Sequence, residues 1–455
     1  LKTQIFPEEF RKHIEVLLKN ETPLFYKSLG ENPPVSVRNN PFKCSRKWIT
    51  AIPIPWCENG YYLNERPSFT TDPFFHAGCY YVQEAASMFL EMFINENIGK
   101  SQPITALDLC AAPGGKATHL ISLLHKESAI FCNEIVYKRN AVLCENLCKW
   151  GASNVIVTQN SAQDYSALKS YFDLIVVDAP CSGEGMFRKD PQTIAEWNRK
   201  NVEMCALRQT EMLKNIHRSL KQGGILIYAT CTYQTAENER QVEWLCRHLG
   251  FSEIKIQGQL PEGIVESEYG YRFYPHRVKS EGFYIACLRN NAHMHIAALP
   301  YKSLKKQLKH LAFKQVPFSV ADMVSEAENY GWFIFKNQYG FVPTRLLAHL
   351  SLAEKVLTLR QVGTAVGEEK AKDFLPHPAA ALSISRNKNL PKVMLEKDDA
   401  LLYLKGESLH KKTSKGWLAV MFDEACLGWV KSTGERLNNY YPKMWKIKKE
   451  IARFA

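Results

Sequence analysis

Apolar residues at helical spacing open the chain. Between Pro7 and Asn20, the positions Phe10, Ile14, Leu17 and Leu18 share one face, which predicts an amphipathic helix. Prolines 33, 34, 41, 53 and 55 then break the pattern into short β-type runs such as Pro34–Arg38, so residues 1–75 are expected to form a small α+β domain. From about His76 to Asn290 apolar strand-length runs alternate with helix-length amphipathic ones. The strands expected are Thr105–Leu109, Ala129–Asn133, Asn154–Thr158, Leu174–Val177, Gly224–Ala229 and Gly282–Leu288, the last as half of an antiparallel edge. Helices are expected from Lys116 to Leu124, Tyr137 to Trp150 and Glu203 to Leu220. Such alternation is the mark of a parallel sheet with crossover helices. Residues 291–380 are less regular and read as a basic connecting domain; there Lys302, Lys305, Lys306 and Lys309 read as one helix with Leu304, Leu308 and Leu311 turned inward. Residues 381–455, with strands such as Trp417–Phe422 and Cys426–Val430, read as a small β-rich module.

A chain of 455 residues exceeds one ordinary core, in keeping with these four segments. Its 45% hydrophobic and 23% charged residues exclude a disordered or fibrous protein. No apolar run approaches the roughly 20 residues that cross a bilayer, and no membrane partner is expected. The first residues carry Lys2, Glu8, Glu9 and Arg11 rather than a basic-then-apolar leader, so no secretory signal is expected. Thirteen cysteines without framework spacing suggest reduced thiols and a cytoplasmic protein. Charge is uneven: residues 291–455 hold 26 Lys and Arg against 15 Asp and Glu, and the preceding 290 hold 32 against 31. A near-neutral body with a basic C-terminal region points to a polyanion, most often nucleic acid.

The run Cys110-Ala111-Ala112-Pro113-Gly114-Gly115-Lys116 follows a buried strand and opens a helix. Residues this small let a ligand approach the backbone at the carboxyl edge of a doubly wound sheet. Glu134, at the end of the next strand, stands where such folds place a carboxylate for a ribose. The G-x-G-x-x-G spacing and a Walker lysine are both missing, so a nucleoside ligand without a pyrophosphate is favoured, and S-adenosylmethionine fits. Two more apolar strands lead into Asp178-Ala179-Pro180-Cys181-Ser182-Gly183 and Ala229-Thr230-Cys231-Thr232. A cysteine just past a buried strand, beside turn residues and an aspartate, is a better candidate for chemistry than one inside an apolar segment. Cys144 and Cys148, or His76 and Cys79, lie close in sequence, but none makes the paired Cys-x-x-Cys sets of structural zinc, and no metal is expected.

These three stretches resemble, in order, motifs of the Sun-type RNA cytosine-5 methyltransferases. His76-Ala77-Gly78 with Tyr80–Ala85 upstream, and Pro275-His276 with Glu281-Gly282-Phe283 downstream, extend the likeness over about 76–288. Leu427–Lys431 and Asn438–Pro442 are similar to the PUA-like module that ends the RsmF-type, ribosomal RNA branch. The resemblance implies an α/β, Rossmann-like class I methyltransferase domain between a small α+β N-terminal domain and a β-rich PUA-like C-terminal module. It implies S-adenosylmethionine as cofactor and methylation of cytidine carbon 5 in RNA, with small-subunit (16S) ribosomal RNA as the target; separately, a monomer is expected. Transfer RNA as target, or a non-catalytic assembly factor of the same fold, remain open alternatives.

The family's roles, carried over, make Cys231 the nucleophile at carbon 6, with Asp178 bonded to ring nitrogen 3. Cys181 assists release and Lys116 orients Asp178 or the substrate. Spacing alone does not choose between the two cysteines. DNA cytosine methyltransferases attack with the cysteine of a Pro-Cys pair and lack the second one, so two cysteines favour RNA. One position departs from the family: where an aspartate usually stands near the adenine, this chain reads Gln159-Asn160-Ser161-Ala162. Ser161 or Asn160 is expected to bond the adenine there, with Asp164 also in reach. Trp417, Trp429 and Trp445 are expected to offer stacking surfaces to RNA.

Overall fold

The computed structural model describes residues 6–43, 51–292, 311–313, 316–370 and 373–448. A ten-stranded sheet forms its centre. Its strands are β1 (Thr105–Asp108), β2 (Ala129–Asn133), β3 (Val155–Thr158), β4 (Phe172–Asp178), β5 (Leu220–Thr230), β6 (Phe251–Ile254), β7 (Val265–Glu266), β8 (Tyr271–Phe273), β9 (Phe283–Asn290) and β10 (Leu359–Val362). They lie in the order β7-β8-β9-β5-β4-β1-β2-β3-β10, and β6 pairs β9. The five strands from β5 to β3 run parallel. Apolar side chains cover both faces, so every residue of β1, β2 and β3 is buried, the condition a parallel sheet with helices on each side requires. Helices α1 (Gly115–Leu123), α2 (Tyr137–Trp150), α3 (Arg199–Ile216) and α4 (Glu239–Leu249) are the crossovers.

Local chemistry explains most of the boundaries. Helix α2 stops where Gly151 takes a φ of 90° and donates its N–H to Leu147 O; a Cβ there would also strike Leu382 O. Helix α3 begins before the expected Glu203, because Asn198 caps it by accepting the Asn201 amide at 2.9 Å. It ends before the expected Leu220, which is already the first residue of β5 and pairs with Phe172. Strand β9 is antiparallel as expected, but it is no edge, since β8 and β7 extend the sheet beyond it.

Strand β10 belongs to the segment read as a connecting domain, yet it pairs antiparallel with β3, placing Leu359 opposite Thr158 and Val362 opposite Ile156. The helix expected around Lys302, Lys305, Lys306 and Lys309 lies outside the described residues. Leu311 starts a strand, Leu311–Phe313, in a separate five-stranded antiparallel sheet. At the N-terminal end helices Glu8–Leu18 and Thr22–Leu29 accompany a four-stranded antiparallel sheet. Phe10, Ile14 and Leu18 of the first helix bury against Phe187, Trp197, Tyr233 and Tyr274, next to the cysteine-bearing loops. The C-terminal module is a five-stranded sheet with one parallel pair, Lys392–Met394 on Gly416–Phe422. Eleven of the described cysteines are free, but Cys79 is disulfide-bonded, which overturns the expectation of reduced thiols at that position.

Candidate active site

Strands β1, β2, β3 and β4 end along one edge, where a cavity of about 630 Å³ opens. Cys110, Glu134 and Ser161 line it, together with Asn133, Arg139, Asn160, Pro180, Arg208 and Met212. Ala111 to Lys116 and Asp178 do not line it; they form the turn and the neighbouring strand end behind and beside it. In that turn Gly114 has a φ of 120°, which a side chain would strain, and α1 starts at the next residue. Burial pushes the Cys110 thiol up, and its sulfur faces Met212 at 3.9 Å, so its contribution is a packed wall.

Glu134 is 3% exposed. Its Oε1 accepts the Val136 amide at 2.9 Å, while Oε2 lies 3.2 Å from the Arg139 guanidinium without forming a hydrogen bond. A buried carboxylate oxygen without a donor, facing a cavity, suits the ribose hydroxyls of an adenosyl ligand. Behind the same wall Asp108 is fully buried and no well-formed hydrogen bond reaches either oxygen. Burial raises its pKa to about 7, against the lowering pull of Lys116.

At the departing position, Asn160 is committed to structure: its Oδ1 accepts the Thr358 amide at 2.9 Å and its Nδ2 donates to Asp164 at 3.2 Å. Asp164 Oδ2 also accepts the Ser161 amide at 2.8 Å. Burial opposes its charge, but the bonds from Ser161 and Asn160 win and keep its pKa low. Asp164 is thereby turned onto its own loop, leaving Ser161 and Asn160 at the cavity wall.

Beside this cavity the two cysteine loops meet. The parallel register sets Asp178 opposite Ala229, so both chains leave the sheet together. Cys181 Sγ and Cys231 Sγ lie 3.3 Å apart. The contact with Cys231, and then burial, hold the Cys181 thiol well above the ordinary cysteine range. Lys116 Nζ donates to Asp178 Oδ2 at 2.7 Å and stands 5.0 Å from the Phe283 ring. All four residues expected to do chemistry therefore gather at one sheet edge. Spacing did not reveal Asn133, Arg208 and Met212 as wall residues; only the position of Asn133 at a strand end gave a signal.

Among the described residues, Cys57, Glu91 and His119 form one buried cluster with donor atoms close enough to share a cation. His119 Nε2 already meets Glu91 Oε2 at 2.8 Å, and the buried Arg38 guanidinium disfavours a further positive charge there. Trp429 is closed to stacking: it is 3% exposed and donates its indole N–H to His377 O. Trp417 is partly exposed, packs at 4.5 Å on Tyr440, and has Lys431 at 5.5 Å over its ring.

The ribosomal RNA small subunit methyltransferase F of Escherichia coli (strain SE11) is 30% identical over 417 residues, covering 87% of this chain and 84% of that protein. The chain belongs to that family. Residues 99–289 match the family described as 16S rRNA methyltransferase RsmB/F, 6–85 the N-terminal domain of 16S rRNA methyltransferase RsmF, and 390–447 the RsmF PUA domain. The resemblance drawn from the motifs and from the C-terminal module is borne out. Among solved structures, a methyltransferase homolog protein from Pyrococcus horikoshii superposes with a TM-score of 0.54 at 26% identity, over 63% of this chain and 95% of that one. NSun6 from the same organism, solved with SFG, gives 0.55 at 22% identity over 64% and 100%, a likeness of fold. The RsmB/F family uses S-adenosylmethionine, and the cavity with its unbonded Glu134 oxygen fits an adenosyl group.

Proposed function

We propose that this chain transfers the methyl group of S-adenosylmethionine to carbon 5 of cytidine in small-subunit (16S) ribosomal RNA, through a covalent bond between Cys231 and carbon 6. The observation that carries the reading is the pair of thiols 3.3 Å apart at neighbouring parallel strand ends, beside a cavity suited to an adenosyl ligand. When bound, S-adenosylmethionine supplies an electrophilic methyl group. Cytosine carbon 5 is a poor nucleophile until a thiolate adds to carbon 6 and pushes electron density onto it. Cys231 makes that bond. Asp178, oriented by Lys116 through Oδ2, presents Oδ1 to ring nitrogen 3, where charge changes as the ring opens its double bond. After methylation the carbon 5 proton leaves, the ring double bond re-forms and the carbon–sulfur bond breaks toward Cys231. Cys181, a thiol in contact with that sulfur, hands its own proton to the departing sulfur and takes up the carbon 5 proton in its place, so that both cysteines end as thiols.

RNA is the substrate class, and the basic C-terminal third supports its capture. A cavity of about 470 Å³ joins the C-terminal module to the rest and carries Arg386, Lys388 and Lys392 on its wall, with Asp423 and Glu424 among its other lining residues. Those cations suit phosphates, while extrusion of the target base costs a few kcal/mol that flanking contacts offset. The reading needs one chain, no metal and a cytoplasmic ribosomal substrate; among the described residues no helix is long and apolar enough to cross a membrane. Bisulfite mapping of ribosomal and transfer RNA from cells lacking the gene tests it. A lost 5-methylcytidine in 16S RNA supports the proposal, a loss confined to transfer RNA moves the target, and no loss anywhere overturns it.

A further inference from the structure

Beneath the two thiols lie two glutamates that the chemistry above does not use. Glu184 follows Cys181 by three residues and Glu237 follows Cys231 by six; both are fully buried. Each reaches across to the other cysteine's loop. Glu237 Oε2 accepts the amide of Ser182, the residue after Cys181, at 2.9 Å, and Oε1 meets the Ser182 hydroxyl at 2.5 Å. Glu184 Oε2 meets the hydroxyl of Thr232, the residue after Cys231, at 3.0 Å and accepts the Tyr233 amide at 2.9 Å. Further donors complete both sets: Gln209 at 2.9 Å to Glu237 Oε2, with Trp197 at 2.9 Å and Gln234 at 2.7 Å to Glu184 Oε1.

The hydroxyls of Ser182 and Thr232 also touch one another, at 2.8 Å. An unbroken row of four oxygens therefore runs from Glu237 through Ser182 and Thr232 to Glu184. Its three contacts need three protons, and two hydroxyls supply two. The third must come from a carboxyl group. Glu184 receives three N–H donors over both oxygens and has no place for a proton. Glu237 has its N–H donors on Oε2 alone, which leaves Oε1 to carry one toward Ser182.

We propose that Glu184 and Glu237 are positioning residues that brace the two cysteine loops against each other, with Glu237 a neutral acid and Glu184 a carboxylate, so that the row of oxygens sets the Cys181–Cys231 separation. Burial opposes charge on both, raising Glu237 and lifting Glu184 to about 7, so one of the two holding a proton accords with the electrostatics. The placement of the N–H donors, three on Glu184 over both oxygens, is what assigns that proton to Glu237. Two ionised carboxylates in one dry network would repel, and one shared negative charge avoids that cost. The role in catalysis rests on the proposed function; the brace itself does not.

The test uses the full chain and reads thiol spacing without RNA or cofactor, as the rate at which dibromobimane bridges Cys181 to Cys231, located by peptide mass spectrometry. Glutamine mimics a neutral glutamic acid, donating to Ser182 and accepting from Ser182 and Gln209. Glu237→Gln is therefore expected to bridge within about twofold of wild type and to lose an infrared band of a buried carboxylic acid. Glu184→Gln turns an amide N–H₂ onto N–H donors; bridging should slow about tenfold and methylation kcat about 100-fold, with the KM for S-adenosylmethionine unchanged. Ser182→Ala, a milder change expected to fold, should also slow bridging by cutting the row. Equal damage from both glutamine variants, persistence of the acid band in Glu237→Gln, or wild-type bridging in Glu184→Gln and Ser182→Ala would overturn the proposal. If bridging behaves as expected but the wild-type chain methylates no RNA, the brace stands and the proposed function fails.

Discussion

Two groups of buried carboxylates lie close together in this protein and are treated in opposite ways. Under the thiols, Glu184 and Glu237 have every oxygen in a hydrogen bond. At and behind the cofactor wall, Glu134 Oε2 and both oxygens of Asp108 lack a well-formed hydrogen bond. Leaving a buried polar atom unpaired costs roughly 1–3 kcal/mol, so a fold retains such atoms where something else compensates. The satisfied pair holds loops in place, and Glu134, which lines the cavity, is complementary to a ligand that brings hydroxyls, while Asp108 lies buried behind it. Rigidity and binding capacity are thus assigned to separate strand ends of one sheet edge.

Changes that break this division can be ranked by expected effect. The largest falls on the thiols above the braced floor. Cys231→Ala should abolish methylation and leave no covalent RNA adduct, whereas Cys181→Ala should accumulate a protein–RNA band that survives denaturing electrophoresis and needs both S-adenosylmethionine and a target cytidine. An adduct from Cys231→Ala alone would exchange the two roles. Next comes the wall. Glu134→Ala should weaken S-adenosylmethionine binding about 10- to 100-fold by calorimetry, because a charged acceptor for ribose hydroxyls is removed. Its thermal stability should fall only modestly, by about 1 kcal/mol for the lost Oε1–Val136 hydrogen bond, since Oε2 holds none; a much larger loss with unchanged affinity would place Glu134 among the braces.

Asp108 offers a smaller, pH-dependent effect. Its folded pKa of about 7 lies above the ordinary aspartate value of 3.8, so the folded state binds the proton more tightly. The stabilisation is complete below about pH 4 and fades as pH rises through 7. Asp108→Asn should flatten that slope in chemical unfolding of the ligand-free protein and make it more stable than wild type at pH 7. Smallest is the effect of single surface lysines. Neutralising the exposed Lys412 or Lys415 should reduce the slope of log affinity for RNA against log salt by about 0.7 for each phosphate that the lysine had neutralised. An unaltered slope would assign those charges to solvation.

The elements of the central sheet were legible because apolar periodicity is a local property. Tyr137–Trp150 and Ala129–Asn133 lie where the pattern sets them, and the Ala-Pro-Gly-Gly run marks the turn ahead of α1. Strand β10 escaped the same reading. Leu359–Val362 carries no long apolar run of its own, and its place beside β3 depends on Thr358 engaging the backbone of Gln159 and the side chain of Asn160. Trp429 misled for a related reason: an indole in a basic segment looks open to a base until the fold buries it against His377.

By itself the sequence determined which residues can form strands and helices, which loop could admit a nucleoside, and which two cysteines follow buried strands. Each of these depends on side-chain size, charge and spacing among near neighbours in the chain. Only the tertiary structure decided that those cysteines meet at 3.3 Å, and that Glu184 and Glu237 cross between their loops. It alone decided that Glu134 keeps an oxygen unbonded while Asp164 turns back onto its own loop. Hydrogen-bond partners some 50 residues apart are chosen by how strands pair and what they bury, and nothing in a local pattern records whether a polar atom will find its donor.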